Sequence, residues 1–174
     1  HMDGARLFNA VVATGIDAKR RTEGYDTVSI CLSKGLGSPV GSLLIGPEAL
    51  IHRGRWIRKA LGGGMRQAGL LAGAGIYALN HNIGRLAEDH RRANDLAEGL
   101  ARHGFSVAPP PSNMLYVDVR NGPEAQDALD ALGVRCLAVS DSTLRLVTHL
   151  DVDDAGVARA IAAFGSLKDQ RPEA

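Results

Sequence analysis

The chain has 174 residues, of which 45% are hydrophobic and 22% charged, enough for one large domain or two small ones. Its 20 basic and 19 acidic residues give a formal net charge of +1 without any basic run, so we expect no nucleic-acid partner. The sequence holds no apolar run of membrane-spanning length, and we expect no membrane partner.

The first half of the chain alternates strand-like and helix-like segments. An acidic residue, Asp3, ends a short apolar run and is followed by glycine. The helix predicted over 65–79 is rich in alanine, glycine and leucine, so we expect it to be buried. Three glycines, Gly62 to Gly64, interrupt the pattern before it, because a helix does not readily include them. The patterns predict a helical turn over 7–13, surface chain over 15–25, strands over 27–32 and 40–45, and helices over 48–61 and 65–79.

The second half opens with the clearest helical pattern of the chain. Apolar residues recur at helical spacing over 83–103, and Gly104 follows as a stop signal. His90 lies on this stripe, and we interpret it as a packing residue. The order of the later segments predicts a small α+β domain with an antiparallel sheet covered on one side by helices. These segments are strands over 105–108, 113–119, 134–138 and 143–148, helices over 122–132 and 153–167, and a tail over 169–174.

Cys31 and Cys136 are the two cysteines of the chain. Two are too few for the disulfide framework of a small secreted domain, and Cys31 lies within an apolar run. We therefore interpret both as reduced, buried thiols and expect a cytoplasmic protein.

Lys34 occupies the turn between the two predicted strands of the first half. Four glycine or proline residues follow it within seven positions, so an aldehyde could approach the backbone closely. Partial burial would favour the free amine that forms Schiff bases, although most lysines are simply exposed. Asp3 lies 31 positions earlier. Pyridoxal phosphate enzymes need both a lysine and a carboxylate that keeps the ring nitrogen protonated, and this pairing favours the functional interpretation of Lys34.

Three further cations are candidate anion ligands. Lys59 and Arg66 flank the three glycines, where a phosphate could meet cationic donors or helix-end amides. Arg145 alternates with two leucines, so its side chain points away from the face that they bury, and a guanidinium held on a strand can bind a carboxylate through two hydrogen bonds. Each of the three could equally be an ordinary surface charge.

Four stretches in order closely resemble the low-specificity L-threonine aldolases, pyridoxal phosphate enzymes of the aspartate-aminotransferase-like fold. The resemblance extends from His1 to about Phe164, and it matches the C-terminal half of those longer proteins. It implies an α/β fold class: part of the large domain of a fold-type I enzyme over 1–82, a connecting helix over 83–104, a small α+β domain over 105–168 and a tail over 169–174. The four stretches are HMDGARLFNA, SICLSKGLGSPVGSLLIG, RWIRKALGGGMRQAG and LRLVTHLD.

The same resemblance implies roles for the candidate residues. Lys34 would hold pyridoxal phosphate covalently, Asp3 would keep its ring nitrogen protonated, and Arg6 would donate to its phenolic oxygen or to neighbouring polar atoms of the cofactor. Arg66, with Lys59 as a weaker candidate, would bind the cofactor phosphate.

Arg145 would bind the α-carboxylate of a small β-hydroxy amino acid substrate, and no metal is implied. We therefore expect retro-aldol cleavage of L-threonine or L-allo-threonine to glycine and acetaldehyde, by a homo-oligomer that is a dimer or a tetramer. Two alternatives stay open. One is another β-eliminating lyase or β-hydroxy amino acid aldolase on the same scaffold. The other is a truncated, non-catalytic dimerisation partner.

Overall fold

The computed structural model describes residues 1–172. Contacts divide the chain into two compact units, one spanning His1–Leu86 and the other beginning at Ala87. The finer division at residues 82, 104 and 168 stays a prediction. Within residues 1–172, no helix is both long enough and apolar enough to cross a membrane.

The first unit is built on a three-stranded sheet of order β1-β2-β3. Strand β1 runs parallel to β2, with Asp3 opposite Ser29, and β3 runs antiparallel to β2, with Ile45 opposite Val28. The two-residue β1 and the exposed β3 are therefore the edges of this sheet. The elements are β1 (Met2–Asp3), α1 (Leu7–Thr14), α2 (Ala18–Arg21), β2 (Val28–Cys31), β3 (Ser42–Ile45), α3 (Glu48–Ala60) and α4 (Gly69–His81).

The core of the first unit is small. Half-buried Phe8 packs against two separate apolar clusters. Complete burial of one large apolar side chain contributes about 1.5–3 kcal/mol, so seven buried residues give this unit a modest hydrophobic stabilisation. One cluster consists of Leu7, Val28 and Ile30, and the other of Leu32, Leu36, Ala78 and Leu86.

Much of the apolar surface of the first unit faces solvent. Every residue of β3 is exposed, and α3 contains no buried residue. The prediction of a buried helix over 65–79 was wrong in both start and burial. The helix begins at Gly69, and only Gly75 and Ala78 are buried, because only this side of α4 meets the cluster around Leu32. Leu70 on its other side is 88% exposed.

The second unit is an antiparallel sheet of order β4-β5-β7-β6 with helices against one face. The buried face carries apolar residues at alternate positions of β5 and β7, whereas Tyr116 and Arg145 lie opposite each other on the other face. This confirms the predicted α+β arrangement. The elements are α5 (Leu86–Arg102), which begins at the end of the first unit, β4 (Ser106–Val107), β5 (Met114–Asp118), α6 (Gly122–Ala131), β6 (Leu137–Ser140), β7 (Thr143–Val147) and α7 (Asp154–Ser166).

One continuous core fills the second unit. The rings of Phe105 and Phe164 meet edge to face, with centroids 5.2 Å apart. Seventeen buried residues belong to this core, so the second unit has a much larger hydrophobic core than the first. The buried residues of β5 and β7 in it are Leu115, Val117, Leu144 and Leu146.

Strand β6 begins later than predicted because the preceding helix ends in a structured turn. Gly133 has a φ of +76°, and its N–H donates to the carbonyl of Asp130 at 2.9 Å. The N–H of Val134 donates to the carbonyl of Leu129 at 2.8 Å. These two bonds form a Schellman motif, so Val134 is part of the turn that ends α6. The strand predicted over 134–138 is instead Leu137–Ser140.

The burial of residues along α5 and the C-terminal tail also differ from the predictions. Helix α5 shows the predicted apolar stripe, but Ala87 near its start is exposed, whereas the charged residue Asp89 is fully buried. The predicted tail is anchored at Gln170, whose carbonyl and side-chain oxygens each accept a backbone N–H, from Arg120 and Asn121, at 3.0 Å. Residues 173 and 174 of that tail lie outside the described part of the chain.

Candidate active site

Asp3 and Lys34 follow the carboxyl ends of two neighbouring parallel strands. Asp3 is the last residue of β1, and Lys34 comes three residues after the end of β2. The N–H of Gly4 still donates to the carbonyl of Ser29 at 2.8 Å, so the two strand ends stay paired at this point. In open α/β sheets, ligands bind outside the carboxyl ends of parallel strands, and this edge of the sheet is therefore the candidate active site.

The Asp3 carboxylate is exposed and available as an acceptor. Its Oδ1 receives the N–H of Ala5 at 3.1 Å, which fixes the local turn, and its other oxygen accepts no bond that the structure of residues 1–172 shows. Arg6 follows as a half-buried residue immediately before α1. Arg6 and Gly35 line the same small cavity, so the structure brings the segment after β1 and the segment after β2 together.

The Lys34 loop, residues 32–41, is closed by backbone hydrogen bonds. The N–H of Leu32 donates to the carbonyl of Gly41, and the N–H of Ser38 donates back to the carbonyl of Leu32, both at 2.9 Å. The N–H of Gly37 donates to the carbonyl of Lys34 at 2.8 Å. The backbone that carries Lys34 is thus a tight turn, while the Lys34 side chain itself is exposed, contrary to the partial burial expected from its neighbours.

Two asparagines lie against the Lys34 loop, and one of them, Asn82, is hydrogen-bonded to it. A Cβ on Gly35 would lie 2.9 Å from Leu86 Cδ2 and 3.3 Å from the Oδ1 of Asn9, so a larger residue there would force the buried Leu86 side chain to shift. Asn9 is itself buried. The side-chain amide of Asn82 donates to the carbonyl of Leu36 at 2.7 Å. Sequence reasoning missed both asparagines, because neither lies in a pattern that signals a neighbour 26 positions away or a hydrogen-bond acceptor 46 positions away.

Lys59 and Arg66 are exposed on either side of the three glycines. Lys59 lies in the last turn of α3, and a Cβ on Gly64 would come 2.7 Å from its side chain. Arg66 lies in the irregular segment before α4. No described contact joins either residue to the Lys34 loop, so their phosphate-binding role stays a prediction.

Arg145 lies in the second unit on the face of the sheet that the core does not use. Tyr116 and Leu137 are its partners on the neighbouring strands, and both are about half exposed. The Nε of Arg145 is buried and has no hydrogen-bond partner within residues 1–172. A guanidinium with an unused donor is suited to a carboxylate ligand, although its role also stays a prediction.

The structure gives no sign that either cysteine is a reactive thiol. Both are free and half-buried, and burial raises the pKa of the Cys136 thiol to about 11, with the nearby Asp130 charge adding to the shift. A thiol that stays protonated at neutral pH is a weak nucleophile. Within residues 1–172 no cluster of side chains is suited to a metal ion.

Comparison with solved structures defines the fold. The chain superimposes on a threonine aldolase of Leishmania major with a TM-score of 0.72 and 21% identity, over 95% of this chain and 51% of that one. Such a low identity establishes the fold alone, which is that of the fold-type I pyridoxal phosphate enzymes.

Sequence comparison then defines the family. The model of the beta-eliminating lyase family matches residues 1–121, and the chain therefore belongs to that family, whose members depend on pyridoxal phosphate. The low specificity L-threonine aldolase of Escherichia coli K12 is 51% identical over 93% of the chain, and the low-specificity L-threonine aldolase 1 of Arabidopsis thaliana is 37% identical over 94%. The chain spans about half the length of these relatives, 49% and 48% respectively.

The residues present fit pyridoxal phosphate by their chemistry. An exposed amine and an exposed carboxylate follow adjacent parallel strands, as a cofactor that needs both groups requires. Half-buried Arg6 lies beside them, within the same small cavity as the Lys34 loop.

Proposed function

We propose that this chain supplies Lys34, Asp3 and Arg145 to the active site of a pyridoxal phosphate-dependent aldolase. The whole protein would cleave L-threonine or L-allo-threonine, releasing glycine and acetaldehyde. The observation that supports this most strongly is the placement of Asp3 and Lys34 after two adjacent parallel strands, in a chain of the beta-eliminating lyase family. The names of the relatives point to the substrate.

Each residue has a defined task in this proposal. When bound, pyridoxal phosphate supplies an electron sink for the charge that develops at the substrate Cα. The Lys34 amine holds the cofactor at its aldehyde carbon, and the Asp3 carboxylate keeps a proton at the ring nitrogen. Arg6 donates to the phenolic oxygen or to neighbouring polar atoms of the cofactor.

The remaining cations bind anionic groups. Arg66, and to a lesser degree Lys59, neutralise the cofactor phosphate, and both are exposed and available for this. Arg145 binds the substrate carboxylate in a bidentate fashion, which fixes the orientation of the substrate.

The cellular setting belongs to the same proposal. Two free, half-buried cysteines support a reducing compartment such as the cytoplasm. The exposed apolar residues of α3 and α4 support a homo-oligomer.

Two other functions use the same features. The family match alone also supports another β-eliminating lyase or β-hydroxy amino acid aldolase, because the same three residues would serve it. The exposed faces of α3 and α4 support a non-catalytic partner that binds a full-length subunit. Assays for aldehyde, ammonia and keto-acid release distinguish these activities.

Reduction of the chain with borohydride in the presence of pyridoxal phosphate tests the role of Lys34. The chain contains four lysines, Lys19, Lys34, Lys59 and Lys168, and all four are exposed, so accessibility alone predicts equal labelling. We expect Lys34 to carry most of the label at limiting cofactor, as measured by peptide mapping. Lys34→Ala should abolish the visible absorbance of the bound cofactor.

Lys168→Ala is the matched control, since it removes an exposed lysine from the second unit. It should leave the Lys34 label unchanged. Equal labelling of all four lysines would contradict the proposed role of Lys34.

A further inference from the structure

The Lys34 loop is held by a hydrogen bond from a distant asparagine. Asn82 follows α4, and its Nδ2 donates to the carbonyl of Leu36 at 2.7 Å, across 46 positions of sequence. Leu36 lies two residues after Lys34 and is only 4% exposed. The bond therefore fixes a buried carbonyl close to the residue that carries the amine.

The residue before Leu36, Gly35, is held by close packing. Gly35 lies so close to the buried side chains of Leu86 and Asn9 that a larger residue there would force Leu86 to shift. Leu36 packs in the apolar cluster that also contains Ala78 and Leu86. Residues 35 and 36 are thus held by packing on one side and by the Asn82 amide on the other.

The donor on Asn82 has to be its side chain. The backbone N–H of Asn82 is already used, since it donates to the carbonyl of Ala78 at 2.9 Å as the helix cap. A buried carbonyl without a donor is costly, and an aspartate of the same shape offers no N–H at neutral pH. Replacing the amide by a carboxylate would also place two acceptors against each other.

We propose that Asn82 is a positioning residue for Lys34. By fixing the Leu36 carbonyl, it fixes the backbone of the turn that carries the Lys34 amine just after the carboxyl end of β2. This inference rests on the proposed role of Lys34. A misplacement of about 1 Å can lower a reaction rate by about 100-fold, so a loosened loop should measurably reduce the reactivity of this one amine.

The experiment compares Asn82→Asp with Asn80→Asp in the full chain. Asn80 is exposed and lies on the same helix, so its substitution adds the same charge without removing this bond. Each variant is treated with limiting pyridoxal phosphate and borohydride, and the label on Lys34 is divided by the label on Lys168. We expect N82D to lower this ratio by about tenfold and N80D to leave it within twofold of the unsubstituted chain.

Further variants separate positioning from general stability. Asn82→Gln keeps the amide, and we expect it to recover part of the ratio. If circular dichroism shows that N82D unfolds the first unit, the same measurement is made on Asn82→Ala, which removes the donor without adding charge. The ratios of Lys19 and Lys59 to Lys168 report on general loosening of the first unit, and we expect them to stay constant.

Three results would overturn the inference. One is an N82D ratio within twofold of the N80D ratio, and another is a parallel fall at Lys19, Lys34 and Lys59. Both leave the proposed function of Lys34 intact. The third is an absence of Lys34 preference in the unsubstituted chain, which overturns the proposed function and this inference with it.

Discussion

Two glycines on the same helix meet different surroundings. Gly73 and Gly75 lie two positions apart in α4. A Cβ on Gly73 would have no neighbouring atom within 4 Å, whereas a Cβ on Gly75 would come 2.9 Å from the Cδ1 of Leu32. Leu32 is buried in the cluster that joins the Lys34 loop to α4, so its side chain has little room to move.

The two alanine substitutions are therefore expected to change the free energy of unfolding in opposite directions. Gly73→Ala should raise the free energy of unfolding by about 0.5–1 kcal/mol, because alanine is the better helix former. Gly75→Ala should lower it by about 1 kcal/mol, because overpacking costs about 1–3 kcal/mol and outweighs the same helical gain. Urea unfolding followed by circular dichroism gives both values. Stabilisation by both substitutions would show that Leu32 yields freely.

Single residues differ in how far the sequence alone predicts them. Lys34 follows a strand that the local pattern predicts, but the parallel pairing that places Asp3 and Lys34 at the same end of the sheet is seen only in the structure. Asn82 has no such signal, because its partner is a backbone carbonyl 46 positions away. The exposure of Lys34 was also missed, since flanking apolar residues describe the backbone of a turn and not the direction of a long side chain.

Helices α5 and α7 are joined by a shared carboxylate. Asp154, in the first turn of α7, lies 2.7 Å from Arg91 and 2.8 Å from Arg92 on α5. The Arg92 side chain is only 14% exposed. Hydrogen bonds from Arg92 and then Arg91 hold the pKa of the Asp154 carboxyl below its ordinary value.

Removal of this carboxylate should destabilise the second unit in a pH-dependent way. Because the folded-state pKa of Asp154 is lowered, its contribution is complete above the unfolded-state value of about 3.9 and is lost as the pH falls through the folded-state value. Asp154→Asn should therefore lower the melting temperature at pH 7, and the difference should shrink below about pH 4.

Asp127→Asn, at an exposed position of α6, is the control and should show no such trend. A constant difference between Asp154→Asn and the unsubstituted chain from pH 7 to acid would contradict the ion-pair account.

At the level of elements, the helices and strands of the second unit follow their sequence patterns closely, because its core is contained in the same stretch of chain. The exceptions have local causes. Because of the Schellman turn at Gly133, Val134 lies in the turn that ends α6 and not in the predicted strand. The burial of α4 was not predictable, because its composition resembles that of a core helix while only one side of it meets the unit's own core.

The molecule as a whole exposes many large apolar side chains. Many of them lie in or directly after β3, α3 and α4, including Trp56 at 71%, Leu61 at 82% and Leu70 at 88% exposure. Soluble monomers rarely leave extended apolar surface uncovered, and both edges of the first sheet are also unpaired among residues 1–172. The resemblance predicted the family and the fold class, yet the sequence pattern did not separate these residues from true core.

Self-association at micromolar concentration is the expected consequence. Sedimentation velocity should show larger species as concentration rises, and the emission of the single tryptophan, Trp56, should shift to shorter wavelength in parallel. A double substitution, Leu61→Lys with Leu70→Lys, should weaken this association. Leu132→Lys, at a half-exposed position of the second unit, is the control. Equal association of both variants would place the contact elsewhere.

The alternation of β7 also restricts how this family can change in length. Leu144 and Leu146 face the core and Arg145 faces the opposite side, so one residue inserted or deleted within β7 would turn the guanidinium inward and two leucines outward. The neighbouring β6 already contains an irregularity between Ala138 and Ser140 and tolerates such a shift. Natural insertions and deletions should therefore accumulate in the β6–β7 hairpin on the β6 side, leaving β7 of constant length.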